Sequence, residues 1–224
     1  ILHDYMPPTL MAAFLYLGAG IGRGAIAFFR RAPPPPRGGE RFVKADLPFV
    51  LGMIVLDIAA PILLLFGLRA TTAANASLLN NFEIVATALI ALLLFKEAIA
   101  PRLWAGIAFV TASCALLSAV DLSAFDFSPG SLLILLAAVC WGLENNCTRR
   151  LASKDPLEIV LLKGIFSGGG SIAIGLLAGE RLSSAWSVFA VLGVGLVAYG
   201  LSIFFYVYAQ RRLGAARTTT YYAV

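Results

Sequence analysis

Long apolar runs limit what this chain can fold into more than any other feature of its sequence. Seven of them recur along the 224 residues, each about as long as a helix needs to cross a bilayer core roughly 30 Å thick. Backbone N–H and C=O groups in lipid must hydrogen-bond to one another, so the runs are predicted to be helices. They are not barrel strands, because apolar and polar residues do not alternate along them. The predicted spans are Thr9–Phe29, Leu47–Leu68, Ala73–Phe95, Leu103–Val120, Ser131–Cys147, Leu157–Leu177 and Val188–Tyr208.

The composition argues against other classes of protein. Hydrophobic residues make up 60% of the chain and charged residues 13%, which is too apolar for a disordered chain or for a soluble domain of this size. The three cysteines lie inside apolar runs without metal-ligand spacing, and His3 is the single histidine. We therefore expect no metal and no cofactor. We also expect no nucleic-acid partner, because a net charge of +5 in such a chain indicates where the cytoplasmic loops lie.

The Lys and Arg residues of the loops predict the orientation. Thirteen follow the odd-numbered spans, whereas only Arg69 and Arg181 follow even-numbered ones. By the positive-inside rule, the charge-rich loops are cytoplasmic and the first residue lies outside, in a multi-pass protein of the plasma membrane (the inner membrane of a bacterium). The linker Arg31–Glu40, with Pro33 to Pro36, is predicted to be extended and cytoplasmic. Because the loops are short, consecutive spans are expected to be antiparallel neighbours.

Two segments, Leu65–Leu79 and Val207–Tyr222, are similar to each other. Each ends an apolar helix at Arg and begins another with small residues and Thr. The charge rule places Arg69 outside and Arg211 inside, so the two copies have opposite topology. Inverted repeats of this kind are typical of secondary transporters, whose substrate site lies near the midplane between the halves.

Three segments, Ala60–Ala119, Gly130–Pro156 and Gly200–Tyr222, resemble the repeat unit of the drug/metabolite transporter superfamily, specifically its EamA family. The resemblance implies an all-α membrane protein, a multi-pass helical bundle of two inverted five-helix repeats with both ends cytoplasmic. Ten helices are then expected in the full protein and about seven complete ones here. Residues 1–122 would form the first repeat without its first helix, and residues 123–224 the second repeat, truncated before its end. Family members export amino acids, metabolites or drugs, by proton exchange or along a gradient.

The chain is expected to be a fragment, because Ile1 is not a start methionine and Thr218–Val224 has the character of a helix cut short. It also departs from the family pattern within the third span. The family repeat often has Pro midway along its fourth helix, whereas this chain has Asn80-Asn81-Phe82-Glu83-Ile84 there. That departure indicates a particular subfamily.

Two carboxyl groups near the middle of spans are the first candidates for a functional role. Ionisable groups in lipid are costly and usually face a cavity or a partner. Asp57 and Glu83 lie at similar depth, measured in both directions from the turn at Arg69. Either residue could carry a proton, with Glu83 the stronger candidate, or could form structural hydrogen bonds.

Amides and one aromatic residue complete the predicted substrate-binding set. The amides could grip a polar substrate or bond helix to helix, and Trp141 could stack on a flat substrate or serve in packing. Glu144 and Lys163 lie at similar heights above the cytoplasmic surface, which predicts an ion pair that acts as a structural lock or as a gate. Three tyrosines are predicted to serve in packing and at the interface, namely Tyr199, Tyr206 and Tyr208. The predicted binding set is Asp57, Asn75, Asn80, Asn81, Glu83, Trp141 and Asn145.

The predicted function is secondary transport by alternating access. The chain would export small polar metabolites, amino acids or drugs, with proton coupling through Glu83 or Asp57. No enzyme is expected, since neither a zinc-protease motif, a nucleophile elbow nor a P-loop occurs. The alternative is a seven-helix membrane receptor or sensor without transport activity; a retinal type is excluded because Val188–Tyr208 has no Lys. The expected partners are a small-molecule substrate, protons and the lipid bilayer, and no oligomeric state is predicted.

Overall fold

The computed structural model describes residues 6–29, 40–119, 128–182 and 184–222. Within these ranges the chain is helical apart from turns and an isolated bridge between Glu40 and Lys154, so the predicted all-α class is confirmed. The proline run of the first loop lies outside the described residues. The α-helices are α1 (Pro8–Phe29), α2 (Leu47–Leu68), α3 (Ala73–Asn80), α4 (Phe82–Leu93), α5 (Pro101–Ala119), α6 (Pro129–Leu151), α7 (Pro156–Leu162), α8 (Gly168–Leu177), α9 (Ala185–Val194), α10 (Gly200–Leu213) and α11 (Ala215–Tyr222).

Each predicted span falls on a helix, but three of the spans are interrupted. The third, predicted as one run from Ala73 to Phe95, is divided at Asn81 between α3 and α4. The sixth contains a π-helical turn at Lys163–Ser167, between α7 and α8, and the seventh contains another at Gly195–Tyr199, between α9 and α10. Such irregular turns inside membrane helices occur mainly where the backbone lines a cavity.

The surface of the bundle is apolar and several charged groups are buried inside it. Leu177 is 88% exposed and Trp186 is 78% exposed, whereas Asp57 and Glu144 are at most 3% exposed. This distribution suits a protein whose surrounding solvent is lipid. In the described part of the chain, five helical stretches are long and apolar enough to cross a membrane, and they are Lys44–Leu68, Asn75–Leu93, Pro129–Leu151, Pro156–Leu177 and Ala185–Leu213.

The main packing pairs join non-consecutive spans. Helix α6 packs against α2 and α4, and α1 packs against α8 and both π-helical turns. Consecutive spans such as α2 and α3 do contact each other, as the short loops predict, but less extensively than these non-consecutive pairs. Small residues determine these pairs: a Cβ added at Gly142 would lie 2.8 Å from the Cβ of Ala86, and one added at Gly20 would lie 3.0 Å from the Cα of Gly164. Close approach at such faces selects the partner helix, whatever the loop length.

Contacts between loops place alternate loops at the same end of the bundle. The backbone N–H of Glu40 donates to the carbonyl of Ser153 at 3.1 Å, which joins the loop after α1 to the loop after α6. At the opposite end, the Ser128 hydroxyl donates to the carbonyl of Ala70 at 3.0 Å. These contacts agree with the alternation predicted from the charges, while the assignment of one end to the cytoplasm stays a prediction.

The chain turns sharply after the seventh span. Gly214 has a φ of +85°, a conformation that suits glycine, and it lets α11 fold back beside α4. Ala216 of α11 then packs against Ile84 and Ala88. The helix that the sequence indicated from Thr218 therefore begins slightly earlier, at Ala215.

Candidate functional site

A cavity of about 230 Å³ lies where the interrupted spans meet α1, α2 and α6. Its lining combines three carboxyl groups, one amine, two amides and a set of aromatic rings. Convergent polar groups in a largely apolar concave site are the usual signature of a ligand pocket. The lining residues are Tyr16, Asp57, Asn80, Glu83, Trp141, Glu144, Asn145, Lys163, Tyr199, Ser202, Ile203 and Tyr206.

Each of the interruptions places polar residues at this cavity. Asn80 ends α3 and Glu83 lies in the first turn of α4, so both flank the break at Asn81. Lys163 begins one π-helical turn and Tyr199 ends the other. Discontinuous helices of this kind form the substrate and ion sites of many secondary transporters.

A buried ion cluster occupies one side of the cavity. The Nζ of Lys163 lies 2.6 Å from Oε1 of Glu144 and 3.3 Å from Oδ2 of Asp57. The contact between Glu144 and Lys163 that their heights predicted is thus present, and Asp57 joins it from α2. One amine therefore bridges two carboxylates from different helices, a geometry in which each charge offsets the desolvation of the other.

Neutral donors complete the coordination of both carboxylates. Asp57 accepts hydrogen bonds from the Tyr16 hydroxyl at 3.1 Å and from the Ser167 hydroxyl at 3.4 Å. Glu144 accepts one from the hydroxyl of Thr148, one turn further along α6. Both carboxylates are therefore held by a cation and by hydroxyl groups.

Glu83 has a different environment. Its Oε1 accepts a hydrogen bond of 2.9 Å from the side-chain amide of Asn145. Among the described residues no cation pairs with Glu83, since Lys163, the amine of the cavity, binds Asp57 and Glu144. Glu83 is thus a cavity carboxyl group with a neutral amide as its partner.

The amide of Asn145 is itself held in place from two sides. Its Nδ2 also lies 3.4 Å from the hydroxyl oxygen of Thr87 on α4, and its backbone carbonyl accepts a 3.0 Å bond from the buried Gln210 of α10. The neighbouring amide of Asn146 donates to the carbonyl of Thr87 at 3.0 Å. These bonds fix α6 to α4 at the level of Glu83.

Two of the predicted binding residues do not line the cavity. The amide of Asn75 donates to the hydroxyl of Thr71 at 2.8 Å and to that of Ser131 at 2.7 Å, which ties the first turn of α3 to α6. The amide of Asn81 donates back to the carbonyl of Ser77 at 2.8 Å. The structure thus brings together five members of the predicted set, namely Asp57, Asn80, Glu83, Trp141 and Asn145.

Three cavity tyrosines were not predicted as site residues. The ring of Tyr16 meets that of Tyr199 edge to face, with centroids 5.1 Å apart, and Tyr206 lines the same space. The glycines that bracket Tyr199, Gly195 and Gly200, were the signal in the sequence that this helix is irregular at that point. The residue type alone did not distinguish a tyrosine at the cavity from one at the lipid interface.

Comparison with known proteins agrees with this architecture. The model of the EamA-like transporter family matches residues 1–119 and 128–224. An uncharacterized transporter of Methanothermobacter thermautotrophicus is 28% identical over 240 residues, which cover 96% of this chain and 67% of that protein. A solved crystal structure with 19% identity has the same fold, with a TM-score of 0.77 over 99% of this chain and 77% of the other.

These matches confirm the family that the resemblance indicated. Family proteins are multi-pass helical membrane transporters, in agreement with the apolar helices and the buried polar cavity described above. The chain belongs to the EamA-like transporter family.

Proposed function

We propose that this protein is a secondary transporter that exchanges a small polar solute for a proton by alternating access, with Glu83 as the proton-binding group. The observation that carries the proposal is the environment of Glu83. It lies on a cavity among interrupted helices, and its partner in the described chain is a neutral amide.

The contrast with the other two carboxyl groups supports Glu83 over Asp57. Asp57 and Glu144 are each within 3.3 Å of the same amine, so their charges are already compensated within the protein. Glu83 depends for its compensation on something that enters the cavity. A charge left alone in a membrane cavity is costly, so a proton or a solute must be present when the cavity changes sides.

This requirement gives a mechanism for exchange. Protonation neutralises the carboxylate and removes its attraction for a cationic solute group, so arrival of one favours release of the other. Export from the cytoplasm and a plasma-membrane location, with the Lys/Arg-rich loops cytoplasmic, are part of the proposal. The family resemblance supports export, and the loop charges support the orientation.

The test uses the full-length protein in vesicles that contain a pH-sensitive dye. Amino acids and small cations are added outside, one at a time, to the wild type, Glu83→Gln and Glu83→Asp. The control is Glu40→Gln, which removes an exposed carboxylate outside the cavity. A transported solute should drive proton flux in the wild type and the control, weakly in Glu83→Asp, and not in Glu83→Gln. Equal flux in wild type and Glu83→Gln, or solute uptake by the wild type without proton movement, would contradict the proposal.

A further inference from the structure

Acidic residues outnumber basic ones in the lining of the cavity. Asp57, Glu83 and Glu144 are acidic, and Lys163 is the cation that lines the cavity in the described part of the chain. Lys163 lies within 3.3 Å of two carboxylates at once. Among the described residues, an entering carboxylate or phosphate would therefore find no uncompensated cation to bind and would meet excess negative charge. Selection against anionic groups follows from this repulsion.

The cavity lining includes hydrogen-bond acceptors that have no cationic partner among the described residues. Within the ranges that the structure describes, Asn145 is the neutral donor to Glu83, and the buried Oδ1 atom of Asn80 has no hydrogen-bond partner. Glu83 and Asn80 flank the helix break at Asn81 and both line the cavity. An ionised carboxylate and an amide oxygen accept but do not donate, whereas an alkylammonium group offers three donors and no acceptor. The chemistry of this corner thus complements an ammonium group.

Aromatic rings lie on the same cavity. Trp141, Tyr199 and Tyr206 contribute to its lining, as do Glu83 and Asn80. The electron-rich faces of such rings attract cations and have no corresponding attraction for carboxylates. They also provide the apolar surface that the hydrocarbon part of an organic amine needs.

The size of the cavity limits the ligand. Its volume of about 230 Å³ is below the range of roughly 300–1,000 Å³ that holds drug-sized ligands. A small amine therefore suits this volume better than a drug-sized cation does.

We propose that the cavity binds a small monocationic organic amine in preference to amino acids and other solutes that carry a carboxylate. Glu83 and Asn80 receive the ammonium group, and Trp141 with the neighbouring tyrosines covers the hydrocarbon part. This inference rests on the proposed function in that the same cavity is taken as the transport path. It goes further by excluding the zwitterionic solutes that the family resemblance leaves open.

The test is an equilibrium binding measurement on the full-length protein in lipid nanodiscs. The radiolabelled probes are phenylethylamine, phenylalanine and phenylethanol, which share an aromatic ring and a two-carbon chain but differ in charge. Between pH 6 and about pH 9 a primary alkyl amine stays charged, as the Lys side chain does. Phenylethylamine should bind at least ten times more tightly than either of the other probes.

Variants separate the binding of the ammonium group from a general effect on folding. Glu83→Gln should weaken phenylethylamine binding at least tenfold, Glu83→Asp should retain most of it, and Glu40→Gln should leave it unchanged. Phenylalanine binding as tight as that of the amine would overturn the inference. So would the absence of saturable phenylethylamine binding, or equal amine affinity in the wild type and Glu83→Gln.

The outcomes for this inference and for the proposed function are distinguishable. If phenylethylamine binds as expected but vesicles neither accumulate it nor move protons in response, the transport proposal fails and the amine site stands. If phenylalanine drives proton flux through Glu83 while phenylethylamine does not bind, transport stands and the amine site fails.

Discussion

The side-chain amide of Asn145 donates a hydrogen bond of 2.9 Å to the carboxyl group of Glu83, and its chain neighbour Glu144 forms a 2.6 Å ion pair with Lys163. Two consecutive residues of α6 therefore belong to two different groups in the cavity. Glu144 belongs to the ion cluster, in which Lys163 compensates the carboxylates. Asn145 is the neutral amide that is hydrogen-bonded to Glu83. We propose that this difference separates a structural cluster from a group that can exchange ligands.

Replacement of Asn145 by Ala removes the donor to Glu83 and the contact with Thr87. Hydrogen bonds to charged groups contribute about 1.5–3 kcal/mol, so solute-driven proton flux should fall and unfolding should become easier by an amount in that range. Both quantities are measured on reconstituted and detergent-solubilised protein. Ser77→Ala on the exposed side of α3 is the control and should change stability by less than about 0.5 kcal/mol. If the solute-driven proton flux of Asn145→Ala equalled that of the wild type, the amide would have no part in the site.

Replacement of Lys163 by Met leaves the carboxylates of Asp57 and Glu144 buried without their cation. Breaking a buried ion pair in this way costs about 3–5 kcal/mol, so the single variant should unfold far more readily than the wild type. A triple variant that adds Asp57→Asn and Glu144→Gln removes the stranded charges and should recover most of the loss. Denaturant unfolding of the purified protein measures both. A single variant as stable as the wild type, or a triple variant no better than the single, would exclude the cluster as a stabilising unit.

Replacement of Gly142 by Ala should separate α6 from α4. The added Cβ would lie 2.8 Å from the Cβ of Ala86 and 2.9 Å from the backbone nitrogen of Thr87, and overpacking of this kind costs about 1–3 kcal/mol. Gly106 of α5 is the matched control, because a Cβ there meets nothing within 4 Å. Gly106→Ala should leave stability unchanged or raise it by up to about 1 kcal/mol, since Ala favours helix. Equal melting temperatures for the two variants would contradict the packing.

Lys154 joins the loop after α1 to the loop after α6 and gives a pH-dependent contribution to stability. Its Nζ lies 2.9 Å from Oδ2 of Asp46, and this hydrogen bond raises the pKa of Lys154. Because the folded pKa exceeds the unfolded value of about 10.4, the stabilisation is fully present below that pH and is lost as the pH rises through the folded pKa.

The measurement is the difference in melting temperature between the wild type and Lys154→Met as a function of pH. It should be constant from neutral pH to about pH 10 and shrink above it. Lys44→Met, which removes an exposed amine, is the control and should change the melting temperature little. A difference that grows above pH 10 would show that the ammonium form of Lys154 does not stabilise the fold.

The length of the apolar runs was sufficient to predict the helices. The membrane sets a length of about 20 residues for each helix, so seven runs in the sequence correspond to helices in the structure. The contact between Glu144 and Lys163 could also be predicted from the sequence, because the height of each residue in the membrane is counted from the same loop. The inverted relationship between residues 1–122 and 123–224 stays a prediction.

The remaining features depend on packing that the sequence does not encode locally. Asp57 reaches Lys163 only because α2 packs beside α6 and the π-helical turn, a non-consecutive arrangement chosen by small-residue faces. Asn75 and Asn81 are chemically equivalent to Asn80, and only the division of the third span at Asn81 decides which amide faces the cavity. The placement of Tyr199 follows from the π-helical turn that it ends, which shifts the helical register.

Alternating access through the cavity is the central claim, and cysteine accessibility tests it most directly. Ser202 of α10 lines the cavity, so Ser202→Cys is introduced after the native cysteines have been replaced by Ala. A membrane-impermeant thiol reagent is then applied to oriented vesicles from one side or the other. We predict labelling from both sides, with the rates changed in opposite directions by a pH gradient. Labelling from one side alone under every condition would contradict transport through this cavity and would favour a receptor or sensor.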